Sequence, residues 1–229
     1  MKFKPSYTSS IAEDIMAERL IRAQAVEFLA DAPMRLKSGL ISPVYVDNRK
    51  LFSHPEAWRD IVETMASRVE EYDLEFDIVA GVEAAGSMHA AALAYRLGLP
   101  AIMVRQKAKT YGNHSRIEGG DVKDMRVLLL EDHISTGLSC LDAIRALRGE
   151  GAQVTQVMSI TNYAIPETQR LFKQEGIDTY DVIAFEKVVR KAKEMGVIDD
   201  EHEKLVLEWL QTPWTWAAMH GVVASAIEN

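Results

Sequence analysis

The sequence predicts an α/β fold in which a mostly parallel central sheet is flanked by helices. Short apolar runs at 78–82, 101–104 and 127–130 have almost no polar interruption, as in parallel strands buried on both faces. Segments with the apolar spacing of helices lie between these runs, and such alternation is typical of a parallel sheet. At 229 residues, 48% hydrophobic and 26% charged, the chain has the size and composition of one globular domain.

The charge and the cysteine content exclude several classes of protein. A net charge of −8 argues against nonspecific nucleic-acid binding, although a local basic patch can still hold a small anion. The single cysteine, Cys140, excludes an internal disulfide, and we expect it to pack as a small apolar residue at a helix start. The first residues lack the apolar core of a signal peptide, and no stretch reaches the ~20 apolar residues of a membrane span. We therefore expect a cytoplasmic protein.

The first hundred residues are predicted to contain three helices and a β-rich segment. Ser10 and Glu13 form a capping box, so the first helix should begin at residue 11. Residues 34–47 place apolar and β-branched residues around a Ser38-Gly39 turn, which predicts a hairpin or short strands. Gly98 should end the third helix. The predicted helices are 11–29, 55–72 and 88–97, and the predicted strands are 78–82 and 101–104.

The rest of the chain continues the alternation after a long polar loop at 105–120. Unstructured loops of this length are usually functional lids or disordered segments. Trp209, Trp214 and Trp216 are expected to dock the C-terminus on the body, because base-stacking platforms normally come with basic residues. The predicted strands are 127–130, 153–160 and 180–184, and the predicted helices begin near 141, 166, 187 and 201. We divide the single domain into an N-terminal part (about 1–50), an α/β core (about 51–185) and C-terminal helices (about 186–229).

A strand, two carboxylates and a hydroxyl-rich turn follow one another at 127–139. Glu131 and Asp132 are expected where the strand ends, and Ser135, Thr136, Gly137 and Ser139 follow before the next helical pattern. This order suggests a cradle for a sugar phosphate, in which backbone N–H groups and the helix dipole face the phosphate and the carboxylates accept hydrogen bonds from ribose hydroxyls. The alternative is an ordinary strand-to-helix turn with Ser139 as the N-cap. Local physics does not decide between them.

Two other features follow strands, and ligands of α/β sheets bind beyond the carboxyl ends of strands. One is the turn Ala84-Ala85-Gly86, whose small residues alone indicate only close helix packing. The other is the loop after Val104, with Arg105, Lys107, Lys109 and Arg116 but only Glu118 among the acids; alone it has the composition of a solvated surface loop. Their convergence on one edge of the sheet favours an anion site covered by a mobile lid.

Three segments resemble a known family. Residues 131–139, Glu-Asp-His-Ile-Ser-Thr-Gly-Leu-Ser, resemble the phosphoribosyl pyrophosphate (PRPP) motif of type I phosphoribosyltransferases. Residues 37–47, from Lys37-Ser38-Gly39 to Asp47, resemble the base-binding segment of the orotate phosphoribosyltransferase family, and 105–119 are similar to its catalytic loop. With further similarity at 161–163 and 207–209, the resemblance covers nearly the whole chain.

The resemblance implies a type I phosphoribosyltransferase-like fold with a small N-terminal base-binding hood. It also implies transfer of the phosphoribosyl group of PRPP to orotate, giving orotidine 5′-monophosphate and pyrophosphate in UMP biosynthesis. Mg²⁺ would be the cofactor, bound mainly by PRPP and water with no direct protein ligand. Family members are typically homodimers whose catalytic loop covers the partner's site, so Arg105 and Lys109 would act in trans.

The resemblance also assigns roles to residues of this chain. Lys109 and Asp132 would be catalytic, and Lys37 and Ser135 would bind orotate. Ala84, Ala85 and Gly86 would form a pyrophosphate cradle. The PRPP-binding set would be Arg105, Lys109, Tyr111, Glu131, Asp132, His133, Ile134, Ser135, Thr136, Gly137, Leu138 and Ser139.

The chain departs from the family pattern in several places. Tyr111 occupies a position where the family usually has histidine, and with a pKa near ~10 it adds no positive charge. Leu138 stands where Gly or Thr is common; its N–H can still donate unless the backbone there needs a positive φ. Near 161–163 there is no counterpart of the arginine that binds the orotate carboxylate in some members. His133 is expected to be a packing or surface residue.

Three other hypotheses remain open. A phosphoribosyltransferase for another base would share the phosphate turn but not residues 37–47. A PRPP-sensing regulator without catalysis would carry an added DNA-binding domain and a basic face, whereas in this acidic chain we expect only a short N-terminal helix. A paralogue that binds PRPP but turns over slowly is compatible with Tyr111.

Overall fold

The computed structural model of the chain describes residues 7–107 and 115–222, with side chains from residue 12 onward. Short β-structures follow the first helix, and strands and helices then alternate. The elements up to residue 71 are α1 (Tyr7–Arg22), β1 (Val26–Phe28), β2 (Met34–Arg35), β3 (Ile41–Ser42), β4 (Val44–Val46), a 3₁₀ helix (Asn48–Ser53) and α2 (Pro55–Glu71). The others are β5 (Ile78–Val82), α3 (Ala85–Leu97), β6 (Ala101–Val104), β7 (Ile117–Glu118), β8 (Arg126–Ile134), α4 (Leu138–Gly149), β9 (Gln153–Asn162), α5 (Pro166–Gln174), β10 (Asp178–Ala184), α6 (Phe185–Glu194), α7 (Asp200–Gln211) and α8 (Trp216–Met219).

The central sheet confirms the predicted α/β class. Its strand order is β10-β9-β8-β5-β6-β7, with parallel pairing everywhere except between β6 and the edge strand β7. β8 therefore lies between two parallel neighbours, β5 and β9. In such a sheet the carboxyl ends of the strands meet at one edge, where a ligand site is expected.

Both faces of the sheet are covered, which explains the uninterrupted apolar runs. Leu128 and Leu130 belong to a core formed with α1, α2, α3 and α6. Val127 and Leu129 face the other way, into a core formed with α4 and Phe172 of α5. Alternate residues of β8 are thus buried on opposite faces, as in a central parallel strand.

Residues 26–46, which we refer to as the hood, confirm the short strands expected within 34–47. β2 pairs with β3 as an antiparallel hairpin, and β4 pairs with β1. Distant residues attach the hood to the body: Trp209 Nε1 donates to the Ile41 carbonyl at 2.8 Å, and the Tyr163 hydroxyl donates to the Val44 carbonyl at 3.3 Å.

Two predictions in the N-terminal part were wrong. Ser10 lies within α1, which is already helical at Tyr7, so it is not the N-cap. The helix ends at Arg22 rather than near 29, because Gln24 has a left-handed φ of 53° and Val26 pairs with Val46. Pairing with a distant strand therefore outweighs the local helical pattern.

Three later predictions also need correction. Part of the long polar loop forms β7, so it is not unstructured throughout. β8 continues to Ile134, so Glu131 and Asp132 lie within the strand instead of at its end. Trp209 and Trp216 are buried as expected, but Trp214 is 54% exposed.

Over residues 7–107 and 115–222, every helix is too short or too polar to cross a lipid bilayer.

Candidate functional site

A cavity of about 340 Å³ opens where β8 and β9 end, between the hood and the start of α4. It brings together Lys37, from the predicted base-binding segment, and most of the predicted phosphate motif. We call residues 131–139 the cradle. The lining residues are Leu36, Lys37, Ser38, Tyr45, Val46, Glu131, His133, Ile134, Ser135, Thr136, Gly137, Leu138, Ser139, Cys140 and Tyr163.

The turn of the cradle excludes one of the two interpretations of the sequence. The N-cap of α4 is Gly137, in a left-handed conformation with φ 72°, so the alternative with Ser139 as the N-cap is wrong. In the described part of the chain no side chain caps this helix. Its first N–H groups therefore remain available to an anion. Leu138 is already helical, so the positive φ falls on Gly137 and the departure at 138 leaves the backbone N–H groups unchanged.

Helix α5 supports this turn from behind. The Thr168 hydroxyl donates to the Ser135 carbonyl at 3.2 Å. A Cβ at Gly137 would lie 2.9 Å from Thr168 Cγ2 and 3.0 Å from Phe172 Cε2, which is too close for any side chain. Thr168 and Phe172 could not be identified from the sequence, because both lie about thirty residues beyond the motif and have no unusual spacing.

The two carboxylates of the cradle differ in position. Glu131 is buried and lines the cavity, and its Oε1 accepts the Asp132 N–H at 3.2 Å. Asp132 is half-buried and is not among the lining residues. Burial raises the pKa of Glu131 well above its usual value, and the neighbouring Asp132 adds to this effect. Burial also raises the pKa of Asp132. Hydroxyl donors or a cation at the cavity would stabilise the ionised pair.

A buried asparagine links the end of the cradle strand to β9. Asn48 Nδ2 donates to the Asp132 carbonyl at 2.7 Å and to the Thr161 hydroxyl at 3.0 Å. His133, expected to be a packing or surface residue, packs on Tyr163 and also forms part of the cavity wall. Burial lowers the pKa of His133 to about 3, so the imidazole is neutral at physiological pH.

Three polar atoms of the wall are buried without a hydrogen-bond partner in the described residues: Ser38 Oγ, His133 Nε2 and Ser135 Oγ. Buried polar groups are almost always paired in native proteins. Because these three atoms come from different positions around one cavity, the cavity has the donor set for a polar ligand. The predicted orotate-binding residues, Lys37 and Ser135, both belong to this wall.

The turn Ala84-Ala85-Gly86, predicted to bind pyrophosphate, adjoins the cavity but does not line it. Ala85 and Gly86 form the first turn of α3, and the Glu83–Ala84 peptide is cis. A Cβ at Gly86 would lie 2.7 Å from the Leu130 carbonyl oxygen, so this glycine permits close packing of α3 on β8. That packing accounts for Gly86, and the pyrophosphate role of all three residues stays a prediction.

The described ends of the basic loop lie beside the start of α4. Arg105 Nη1 contacts Glu118 at 2.8 Å, and Arg116 contacts Asp142 at 2.6 Å. Arg105 and Ser139 both line a second cavity of about 180 Å³. Lys109 and Tyr111 lie outside the described residues, so their roles stay predictions.

Known proteins resemble the chain over nearly its full length. The family model "Phosphoribosyl transferase domain" matches residues 47–194. An orotate phosphoribosyltransferase of Coxiella burnetii is 40% identical over 201 residues, covering 88% of this chain and 96% of that protein. The structure of Leishmania donovani UMP synthase superposes with a TM-score of 0.75 at 25% identity, covering 87% of this chain and 42% of that one. A PRPP complex of Mycobacterium tuberculosis orotate phosphoribosyltransferase gives a TM-score of 0.60 at 26% identity, covering 77% of this chain and 98% of that one.

Proposed function

The chain belongs to the orotate phosphoribosyltransferase family, and we propose that it transfers the phosphoribosyl group of PRPP to orotate, giving orotidine 5′-monophosphate and pyrophosphate for UMP biosynthesis. The observation that carries this proposal is the single cavity that joins the cradle to Lys37 and Ser38 of the hood. A phosphate site and a base site must share one cavity if a ribose C1′ is to pass between them.

The 5′-phosphate of PRPP fits the turn of the cradle. The uncapped N–H groups at the start of α4 provide donors and the positive end of the helix dipole. The hydroxyls of Ser135, Thr136 and Ser139 supply further donors around the same turn. The backbone N–H of Leu138 takes part in this set, and its exposed side chain does not obstruct it. His133 and Ile134 complete the PRPP side of the wall.

The ribose is assigned to Glu131 and Asp132. Glu131 is buried and Asp132 is half-buried beside it, and burial raises the pKa of both, so hydroxyl donors of a ribose would stabilise their ionised forms. As the bond to pyrophosphate breaks, positive charge develops at the ribose, and an ionised Asp132 would stabilise it. Orotate would lie under the hood with Lys37 and Ser135 at its edge.

We propose Mg²⁺ as the cofactor. Within the described residues no cluster of three or more His, Cys, Asp or Glu side chains is arranged to bind a metal ion. Glu131 and Asp132 supply one carboxylate pair, which suits an ion bound mainly by PRPP oxygens and water. Such an ion would neutralise charge on the leaving pyrophosphate.

The moving part of the site is proposed to be the basic loop. Arg105 would bind pyrophosphate together with the turn Ala84-Ala85-Gly86, and Lys109 would be the catalytic cation with Tyr111 beside it. We further propose a homodimer in which this loop acts on the partner's site, and a cytoplasmic location. The position of Arg105 next to Ser139 supports the placement of the loop beside the cradle.

The decisive experiment is consumption of orotate with PRPP and Mg²⁺, beside a panel of purine and pyrimidine bases. Of the bases tested with PRPP and Mg²⁺, we expect only orotate to be turned over. PRPP binding without turnover of any base would refute the enzyme and leave the regulator hypothesis. Turnover of a different base would refute the choice of orotate.

Two variants test the loop. Lys109→Ala should lower kcat by orders of magnitude, whereas Lys173→Ala, on the exposed part of α5, should not. If the loop acts in trans, mixing Lys109→Ala chains with Asp132→Asn chains should restore activity that neither variant has alone. A mixture as inactive as its components would contradict shared sites.

A further inference from the structure

His133 lies in the wall of the cavity. The family resemblance places it in the PRPP motif but gives its side chain no particular role. We propose that it determines base specificity, by donating a hydrogen bond from Nε2 to an acceptor oxygen of the base. This inference deepens the proposed function and rests on it. Its grounds are the position of the ring, its hydrogen-bond network and the scarcity of charge around it.

The ring lines the cavity that would hold both PRPP and the base. It shares the wall with Lys37 and Ser38, which come from the hood, and with Tyr163, which follows β9. Its centroid lies 4.2 Å from that of Tyr163 with an interplanar angle of 76°, so the two rings fix each other edge to face. Nε2 is buried and has no partner within residues 7–107 and 115–222.

The hydrogen-bond network assigns the tautomer. Asn48 must present its NH₂ group to the Asp132 carbonyl, because a carbonyl oxygen only accepts. The same NH₂ donates to the Thr161 hydroxyl. That hydroxyl lies 2.9 Å from His133 Nδ1 and can donate its own hydrogen to it, and we assign the tautomer on this arrangement. The imidazole proton is then on Nε2, which makes the unpartnered atom a hydrogen-bond donor.

The need for such a donor follows from the charges around the cavity. Among the described lining residues Lys37 is the one cationic side chain, since His133 is neutral. Orotate carries a carboxylate and two carbonyl oxygens, so one ammonium group cannot satisfy all of its acceptors. Ser38, Ser135 and His133 contribute the three unpaired polar atoms. Of these three groups the imidazole is the one whose orientation is set by neighbours, because Tyr163 packs on the ring and Thr161 contacts Nδ1.

Two substitutions separate this role from a structural one. Asn at 133 places its amide near the Nδ1 position, so His133→Asn keeps a partner for Thr161 and removes the Nε2 donor. Gln reaches the Nε2 position, so His133→Gln keeps the donor and loses the contact with Thr161. A base contact predicts that the Gln variant is the better enzyme, and a structural role predicts the reverse.

The measurement is kcat and both KM values for wild type and the two variants, with melting temperatures. We expect His133→Asn to raise the KM for orotate about tenfold or more, with the KM for PRPP within about twofold of wild type. His133→Gln should recover most of that loss. The nitrogen-15 shifts of the imidazole should show a protonated Nε2 that moves when orotate is added.

The outcomes distinguish this inference from the function on which it rests. Wild-type protein that does not turn over orotate refutes the proposed function. An active wild type in which His133→Asn is as good as His133→Gln, or in which both KM values change equally, refutes the role of His133 alone. A protonated Nδ1 in the ligand-free protein would also refute it.

Discussion

The cradle and the hood form two walls of the same cavity, but different interactions stabilise them. The cradle extends from β8, a strand of 9 residues with parallel neighbours on both sides. The hood consists of strands of 2 or 3 residues that, within residues 7–107 and 115–222, pair only with one another. Such short pairings are marginal by themselves, so the hood depends on contacts with distant residues.

Those contacts come from the second half of the chain. Trp209 reaches Ile41 across 168 residues of sequence, and Tyr163 reaches Val44 across 119. The cradle is therefore specified mainly by local strand, turn and helix signals, whereas the hood is specified by tertiary packing. A fixed phosphate site beside a separately supported base site would allow one fold to accept different bases.

The largest loss of stability is expected from a substitution in the turn of the cradle. Gly137→Ala adds a Cβ at 2.9 Å from Thr168 Cγ2 in a left-handed backbone. We expect a loss of about 2–4 kcal/mol in the free energy of unfolding, together with weaker PRPP binding. Gly98→Ala is the control, because its φ of 68° is similar and nothing lies within 4 Å. Equal losses in urea titrations of the two variants would show that α5 does not constrain the turn.

Weakening the contact that attaches the hood to the body should lower the free energy of unfolding by about 2 kcal/mol. Trp209→Phe removes the donor to the Ile41 carbonyl and leaves a void in a fully buried site. Because the contact is on the hood, the KM for orotate should rise more than the KM for PRPP. Trp214→Phe, at a residue 54% exposed, should be nearly neutral. Similar effects of the two substitutions would contradict the dependence of the hood on Trp209.

Thr168→Val should cost about 1 kcal/mol, since it removes one hydrogen bond to the Ser135 carbonyl while keeping the side-chain shape. Thr64→Val removes a similar bond, to the Asp60 carbonyl in α2, and serves as the control. Both variants should unfold slightly earlier in urea. Only Thr168→Val should also raise the KM for PRPP.

A gain in stability is expected from Glu131→Gln. Burial raises the pKa of Glu131 in the folded chain above its usual value of 4.5. The protonated carboxyl group therefore favours the folded state fully below pH 4.5, and this stabilisation is lost as pH rises through the folded pKa. Glutamine does not titrate, so the variant should lose less stability than wild type between pH 5 and 8. It should melt higher at pH 8 and have lower activity. A lower melting temperature at pH 8 would contradict an electrostatic cost in the cradle.

The sequence predicted the cradle better than the hood for the same physical reason. The apolar run, the hydroxyl-rich turn and Gly137 are local signals, and the structure places them together as expected. The extension of α1 to residue 29 was wrong because β1 forms only by pairing with β4. Thr168 and Asn48 could not have been identified, since the positions they support are distant in sequence.

The most direct test of the account compares one variant from each wall in two-substrate initial-rate measurements. Thr168→Val alters the cradle, and Lys37→Met removes the cation of the hood while retaining its length. We predict that the first raises mainly the KM for PRPP and the second mainly the KM for orotate, by about tenfold for the lost charge. If both variants raised the same KM, or neither raised any, the assignment of the two walls to phosphate and base would be wrong.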